Sequence, residues 1–161
     1  MNGVVNRGFF AYPSAPTTVG EAVRNALDTI NSGGIVNVKS WEDCRVGGKL
    51  VVQEICHEID ESQFLCADLT GINANVMFEL GYAIATNKRI WLTLDTSFVN
   101  VRKEFEQLRI LTTVGYQSST NSSQIVNGFY KDCPYSDLGA TVFDSYIKPN
   151  LMRDSRACFV Y

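Results

Sequence analysis

The sequence predicts one α/β domain spanning residues 1–161, built as a doubly wound, five-stranded parallel sheet with helices on both faces. Three observations carry this expectation. Strand-like and helix-like segments alternate along the chain. The run Gln63–Leu69 (QFLCADL) is almost uninterrupted in its apolar character, as expected of a strand covered on both faces. A length of 161 residues supplies one sizeable core and falls short of two.

The elements follow in order. Gly8–Tyr12 (GFFAY), stopped by Pro13 and Pro16, reads as a first strand and a loop. From Thr17 to Asn31 the apolar positions Val19, Ala22, Val23, Ala26, Leu27 and Ile30 recur every three or four residues, and Gly33-Gly34 closes the segment, which predicts an amphipathic helix. Ile35–Trp41 alternates as a second strand, and Lys49–Glu61 carries Val51, Val52, Ile55 and Ile59 at helical spacing. Gln63–Leu69 is the third strand and should be central. Asn75–Asn87 is helical by composition, Arg89–Leu94 (RIWLTL) is a fourth strand, and Val99–Leu108 a further helix. Ile110–Tyr116 is expected to be the fifth strand. Gln117–Gln124 (QSSTNSSQ) reads as loop, with weaker helical segments at Ile125–Lys131 and Leu138–Tyr146. Parallel neighbours need a helix to return the chain to the same end of the sheet, with right-handed crossovers, so the alternation gives a flavodoxin-like layout. Ligands of such sheets bind beyond the carboxyl ends of the strands, which directs attention to Tyr12–Ser14, Asp68–Asn75 and Asp95–Phe98.

Composition narrows the function. Hydrophobic residues are 45% and charged residues 19% of the chain, which excludes wholesale disorder. A net charge of -3 with scattered Lys and Arg gives no basic field, so long nucleic acid is not an expected partner. No apolar run approaches the roughly 18 residues of a membrane span, and the N-terminus leads into a strand-like run instead of a signal peptide, so a cytoplasmic protein without membrane contact is expected. Cys44, Cys56, Cys66, Cys133 and Cys158 form no CxxC and share the chain with one histidine, His57. Reduced thiols are therefore expected, with no metal site and no disulfide framework.

The densest information lies in DLTGINANVMFELGYAIA, Asp68 to Ala85. A strand ends on a carboxylate, a turn with Gly71 and two asparagines follows, and a helix begins. Asn73 or Asn75 can cap that helix, and their amides can also serve sugar hydroxyls or a base edge. Free N–H groups at the helix start favour a nearby anion. Val76, Leu80, Ala83 and Asn87 fall on one face, with Glu79 about 60° from its centre. Glu79 thus sits at the edge of the buried stripe, where it can stay ionised and act as a nucleophile, or simply support the helix dipole. Asp68 equally suits an Asx turn or a ligand contact.

Ala67–Leu94 (ADLTGINANVMFELGYAIATNKRIWLTL) resembles the nucleoside 2-deoxyribosyltransferase-like superfamily and the TIR-like domains close to it, most clearly at Glu79–Ala83 (ELGYA). The resemblance implies Glu79 as the nucleophile on the anomeric carbon and Asn73, six positions earlier, as a sugar ligand. The family's first strand, Tyr-x-Ala-x-Pro, appears as Phe9-Phe10-Ala11-Tyr12-Pro13, with Phe9 in place of the tyrosine. The family's acid on the preceding helix aligns with Ile55, flanked by Glu54 and Glu58.

The expected activity is cleavage of the N-glycosidic bond of a nucleoside, nucleotide or NAD+, by hydrolysis or glycosyl transfer. Glu79, Asp68 and Glu54 are the expected catalytic residues, and Phe9, Tyr12, Pro13, Ser14, Gly71, Asn73 and Asn75 the expected substrate-binding ones. No cofactor is expected, NAD+ entering only as a substrate. Nicotinamide leaves from a cationic ring without protonation, so a TIR-like NAD+ glycohydrolase effector of bacterial antiviral defence is one alternative, and such an effector would be a domain of a longer polypeptide. A catalytically silent nucleotide-sensing or self-association module is another. Phe78 and Tyr82, projecting off the buried stripe, suit a homo-oligomer. A flavodoxin-like redox or phosphoacceptor domain is weaker, because Asp68 has no acidic pair at the end of the first strand.

Overall fold

The structure, a computed structural model, describes residues 5–44, 47 and 51–136. The chain runs through β1 (Asn6–Ala11), α1 (Thr17–Ser32), β2 (Val36–Ser40) and a 3-10 turn at Trp41–Asp43. It continues through α2 (Val51–Asp60), β3 (Phe64–Asp68), α3 (Ala74–Ala85), β4 (Arg89–Leu94) and α4 (Val101–Gln107). A 3-10 segment at Arg109–Thr113, β5 (Gln117–Ser118) and α5 (Ser122–Asp132) follow. The five strands form one parallel sheet in the order β2-β1-β3-β4-β5, the expected doubly wound layout.

Alternation along the strands divides the core in two. Phe9, Ala11, Leu65, Ala67, Ile90, Leu92 and Leu94 point to the face covered by α2, α3 and α4, where they meet Ile55, Ile59, Val76, Leu80, Ala83, Val101 and Phe105. Phe10, Phe64, Cys66, Trp91, Val36 and Val38 point to the other face, where Val23, Ala26, Leu27, Ile30, Ile125 and Phe129 of α1 and α5 close over them. Gly8 is required beneath that second layer, because any Cβ there would occupy the space of the Phe64 ring.

The fifth strand is displaced from its expected place. Ile110–Tyr116 does not form it: Arg109–Thr113 is a 3-10 segment, and β5 is the short Gln117–Ser118 beside Thr93 and Leu94. The reason is spacing. Leu108, Leu111 and Val114 recur at three, the 3-10 period, and all pack into the α4 side of the core. Leu111 N donates to Leu108 O and Val114 N to Leu111 O, and Gly115 at φ +75° then turns the chain into β5. The loop expected at Gln117–Gln124 shrinks accordingly, since α5 starts at Ser122, where the Asn121 side chain accepts from Gln124 N.

α3 also ends earlier than its composition suggests. Asn87 adopts φ +57°, Lys88 N donates to Ala83 O and Asn87 N to Ile84 O, a Schellman close that places Asn87 outside the helix and exposed. The helical segment expected at Leu138–Tyr146 lies outside the described residues.

Candidate active site

The order of strands reverses between β1 and β3, and the crevice at the carboxyl ends of these strands is the position at which sheets of this layout take ligands. β3 delivers Asp68 to that end. Asp68 is 2% exposed and, following Phe64 and Cys66 in the alternation, belongs to the face covered by α1 and α5. Both of its oxygens are met: Thr93 Oγ1 donates to Oδ2 at 2.8 Å and Thr70 N donates to Oδ1 at 3.0 Å, an Asx turn. Burial pushes its pKa up, against the pull of those hydrogen bonds.

The chain then turns through Gly71 and Ile72, both at positive φ, into Asn73. Asn73 Oδ1 accepts from Asn75 N at 2.9 Å and Val76 N at 3.3 Å and so caps α3. That use of the oxygen leaves the Asn73 amide N–H groups as donors. On α3, Asn75, Phe78 and Glu79 stand at i, i+3 and i+4, on one side of the helix.

Glu79 is the unusual group. It is 5% exposed, and its Oε2 is buried without a hydrogen-bond partner. Burial alone raises its pKa to about 7. An unpaired carboxylate is costly to enclose, and such sites in a cleft are candidates for chemistry. Glu79 lines a cavity of about 360 Å³, to which Tyr12 and Ser14 after β1, Trp41 after β2, and Asn73 and Asn75 at the start of α3 also contribute. Val51, Val52 and Ile55 of α2 and Phe78 of α3 complete the lining. The Tyr12 hydroxyl, near Ser40, Glu42 and Arg24, completes no hydrogen bond of its own, and burial pushes the phenol up to about 12.

Five of the sequence-derived candidates therefore meet around one cavity: Tyr12, Ser14, Asn73, Asn75 and Glu79. The others are elsewhere. Phe9 is fully enclosed in the core beneath α2 and α3. Pro13 is buried outside the lining, and Gly71 shapes the turn without reaching the cavity. Asp68 does not line the cavity, its oxygens being met by Thr93 and Thr70, and Glu54 stands on α2 without lining it. Glu58 is held by Lys39 at 2.8 Å and Arg7 at 3.4 Å. The apolar walls Trp41, Val51, Val52 and Phe78 were not among the candidates. Trp41 carried a signal, since it follows directly on a strand end; Val51 and Val52 were indistinguishable from core residues by periodicity, and Phe78, projecting off the buried stripe, pointed equally to a contact between copies.

No protein family matches the chain, and no curated protein matches it in sequence. Solved structures do match it. The Clostridium botulinum CMP N-glycosidase BcmB superposes with a TM-score of 0.58 at 16% identity, over 78% of this chain and 98% of that one. The TIR domains of the activated Roq1 resistosome, which directly recognises the pathogen effector XopQ, superpose with a TM-score of 0.53 at 13% identity, over 92% of both chains. The chain shares its fold with an N-glycosidase and with TIR domains. This is the fold expected from the ELGYA segment. A 2-deoxyribosyltransferase from Leishmania mexicana matches more loosely, at a TM-score of 0.49 and 19% identity over 72% of this chain and 75% of that one. Among the described residues no helix is long and apolar enough to cross a membrane, and no three His, Cys, Asp or Glu side chains are grouped to hold a metal.

Proposed function

We propose that the chain cleaves the N-glycosidic bond of a nucleoside or nucleotide, with Glu79 as the nucleophile. The observation that carries this reading is the buried, unpartnered Oε2 of Glu79 on the wall of a cavity of about 360 Å³. That volume is at the lower end of the range for small-molecule sites and matches a monomeric ligand. Breaking the bond between anomeric carbon and base develops positive charge on the sugar, and a carboxylate with no other partner is free to meet it. Glu79 donates an electron pair to the anomeric carbon, the C–N pair departs with the base, and water or an acceptor hydroxyl then opens the glycosyl ester. Asn73 and Asn75 supply the polar contacts for the sugar hydroxyls.

The raised pKa sets the working range. Only the ionised carboxylate attacks, so activity of the free enzyme rises as pH passes upward through about 7. A substrate that brings positive charge to the cavity would extend that range downward by favouring the ionised form.

A second reading, favoured by Ile55, concerns the leaving group. Ile55 is an apolar wall residue where the resembled family carries an acid, and Glu79 is the only carboxylate among the described lining residues. A base that departs from a cationic ring needs no protonation, which makes NAD+ an alternative substrate. Incubating wild-type and E79Q protein with NAD+, nucleosides and nucleotides, and following the freed base by chromatography, separates the readings. Nicotinamide release abolished by E79Q selects NAD+, purine or pyrimidine release selects a nucleoside or nucleotide, and silence across the panel refutes both.

A further inference from the structure

The walls of the cavity divide by chemistry. Polar groups come from the loop after β1 and from α3, whereas Trp41, Val51, Val52, Ile55 and Phe78 supply an apolar part of the lining. Within that part, Val51 and Val52 are 45% exposed and Phe78 is 50% exposed. Exposed apolar side chains are ordinary when scattered; gathered on the lip of a cleft they mark a binding surface. Val5, Ile35, Phe98 and Val99 are similarly exposed, yet none of them lines this cavity.

The lip also has a fixed relation to the carboxylate. Phe78 immediately precedes Glu79, and both share a side of α3 with Asn75. When the anomeric carbon lies at Glu79, the base is one bond further out and its flat face needs an apolar partner. Trp41, Ile55, the first turn of α2 and Phe78 are the apolar surfaces of the cavity, and among them Phe78 is the ring carried on the same helix as Glu79. The described side chains of this part carry no hydrogen-bonding group apart from the indole N–H of Trp41.

We propose that Phe78, flanked by Val51 and Val52, is the platform on which the leaving base stacks, so that the site selects bases by flat apolar area and not by the hydrogen-bonding pattern of their edges. The inference rests on the glycosidase reading for the class of ligand. Stacking tolerates changes at the base edge because every base presents a π face. Adenosine and inosine, equal in size and different at the edge, should therefore bind alike.

The test is a titration of E79Q protein, which holds ligand without turnover, with adenosine and inosine, repeated with F78A and F78W added. Tryptophan emission reports occupancy, because Trp41 lines the cavity while Trp91 is buried with Nε1 donating to Asp132 at 2.9 Å. F78A is expected to weaken both ligands about tenfold, F78W to restore them, and the two nucleosides to agree within about threefold. An unchanged Kd in F78A, a preference above about tenfold between the two nucleosides, or no binding of either overturns the platform. A shift in size-exclusion volume without a change in Kd assigns the ring to contacts between copies and also overturns it. Base release by wild type that E79Q abolishes, with an F78A-insensitive Kd, refutes the platform and leaves the glycosidase reading standing. Phe78-dependent binding without base release does the reverse.

Discussion

Asp68 and Glu79 are both carboxylates buried near the same end of the sheet, and they differ in one respect. Asp68 at the end of β3 has its oxygens met by Thr93 and Thr70, whereas Glu79 on α3 has an oxygen that nothing in the protein meets. The difference teaches that enclosure alone does not mark a functional acid. A satisfied buried carboxylate ties strands together, and an unsatisfied one facing a cavity waits for a ligand.

The largest effect expected from this contrast is on catalysis. E79Q should lower the rate of base release by at least about a thousandfold while leaving the circular dichroism spectrum unchanged; retention of activity would remove Glu79 from the chemistry. The next largest is on pH-dependent stability. The Glu79 pKa is raised from 4.5 to about 7, so the unfolded chain loses its proton first as pH rises through that window and the fold loses stability there. Below pH 4.5 the difference is absent, and above pH 7 it levels off at roughly 3 kcal/mol. Urea unfolding of wild type and E79Q from pH 4 to 8 should therefore show the variant gaining on wild type as pH rises, and parallel curves would contradict the unpartnered state of Glu79.

D68A should act in the opposite sense, costing about 2–3 kcal/mol of stability by stranding Thr70 N and Thr93 Oγ1, with turnover per folded molecule close to wild type. A D68A protein that folds normally but loses turnover would bring Asp68 back into the mechanism. The smallest effect is expected at Tyr82, a half-buried residue of α3 whose hydroxyl donates to Asp60 on α2 at 2.9 Å. Y82F should change stability by less than about 1 kcal/mol in thermal melts and leave base release unaltered.

The fold was legible because its signals are repetitive. Apolar runs such as Arg89–Leu94 and three-four spacings such as that of α1 repeat over whole elements, so small errors of boundary do not alter the topology. The fifth strand was obscured because Leu108, Leu111 and Val114 are as apolar as a strand and differ only in spacing, and because β5 itself has two residues and no hydrophobic pattern. At the site, Glu79 stood out as a charge on the edge of a buried stripe. Asp68 illustrates what a sequence withholds: nothing in the order of residues tells that Thr93 and Thr70 will meet its oxygens. Val51 and Val52 escaped notice for the converse reason, since an apolar residue on a pocket lip and one in a core look alike until the neighbouring helix is in place, and Phe78 stood off the buried stripe with nothing in the sequence to tell a cavity wall from a contact between copies.

All the described cavity-lining residues fall between Tyr12 and Glu79, and none comes from β4, β5, α4 or α5. On the ribosome, each of these described lining residues is polymerised before β4, α4, β5 and α5. Exchanging Trp41, Val51 and Val52 together should therefore change ligand preference while leaving Glu79 in its place on α3.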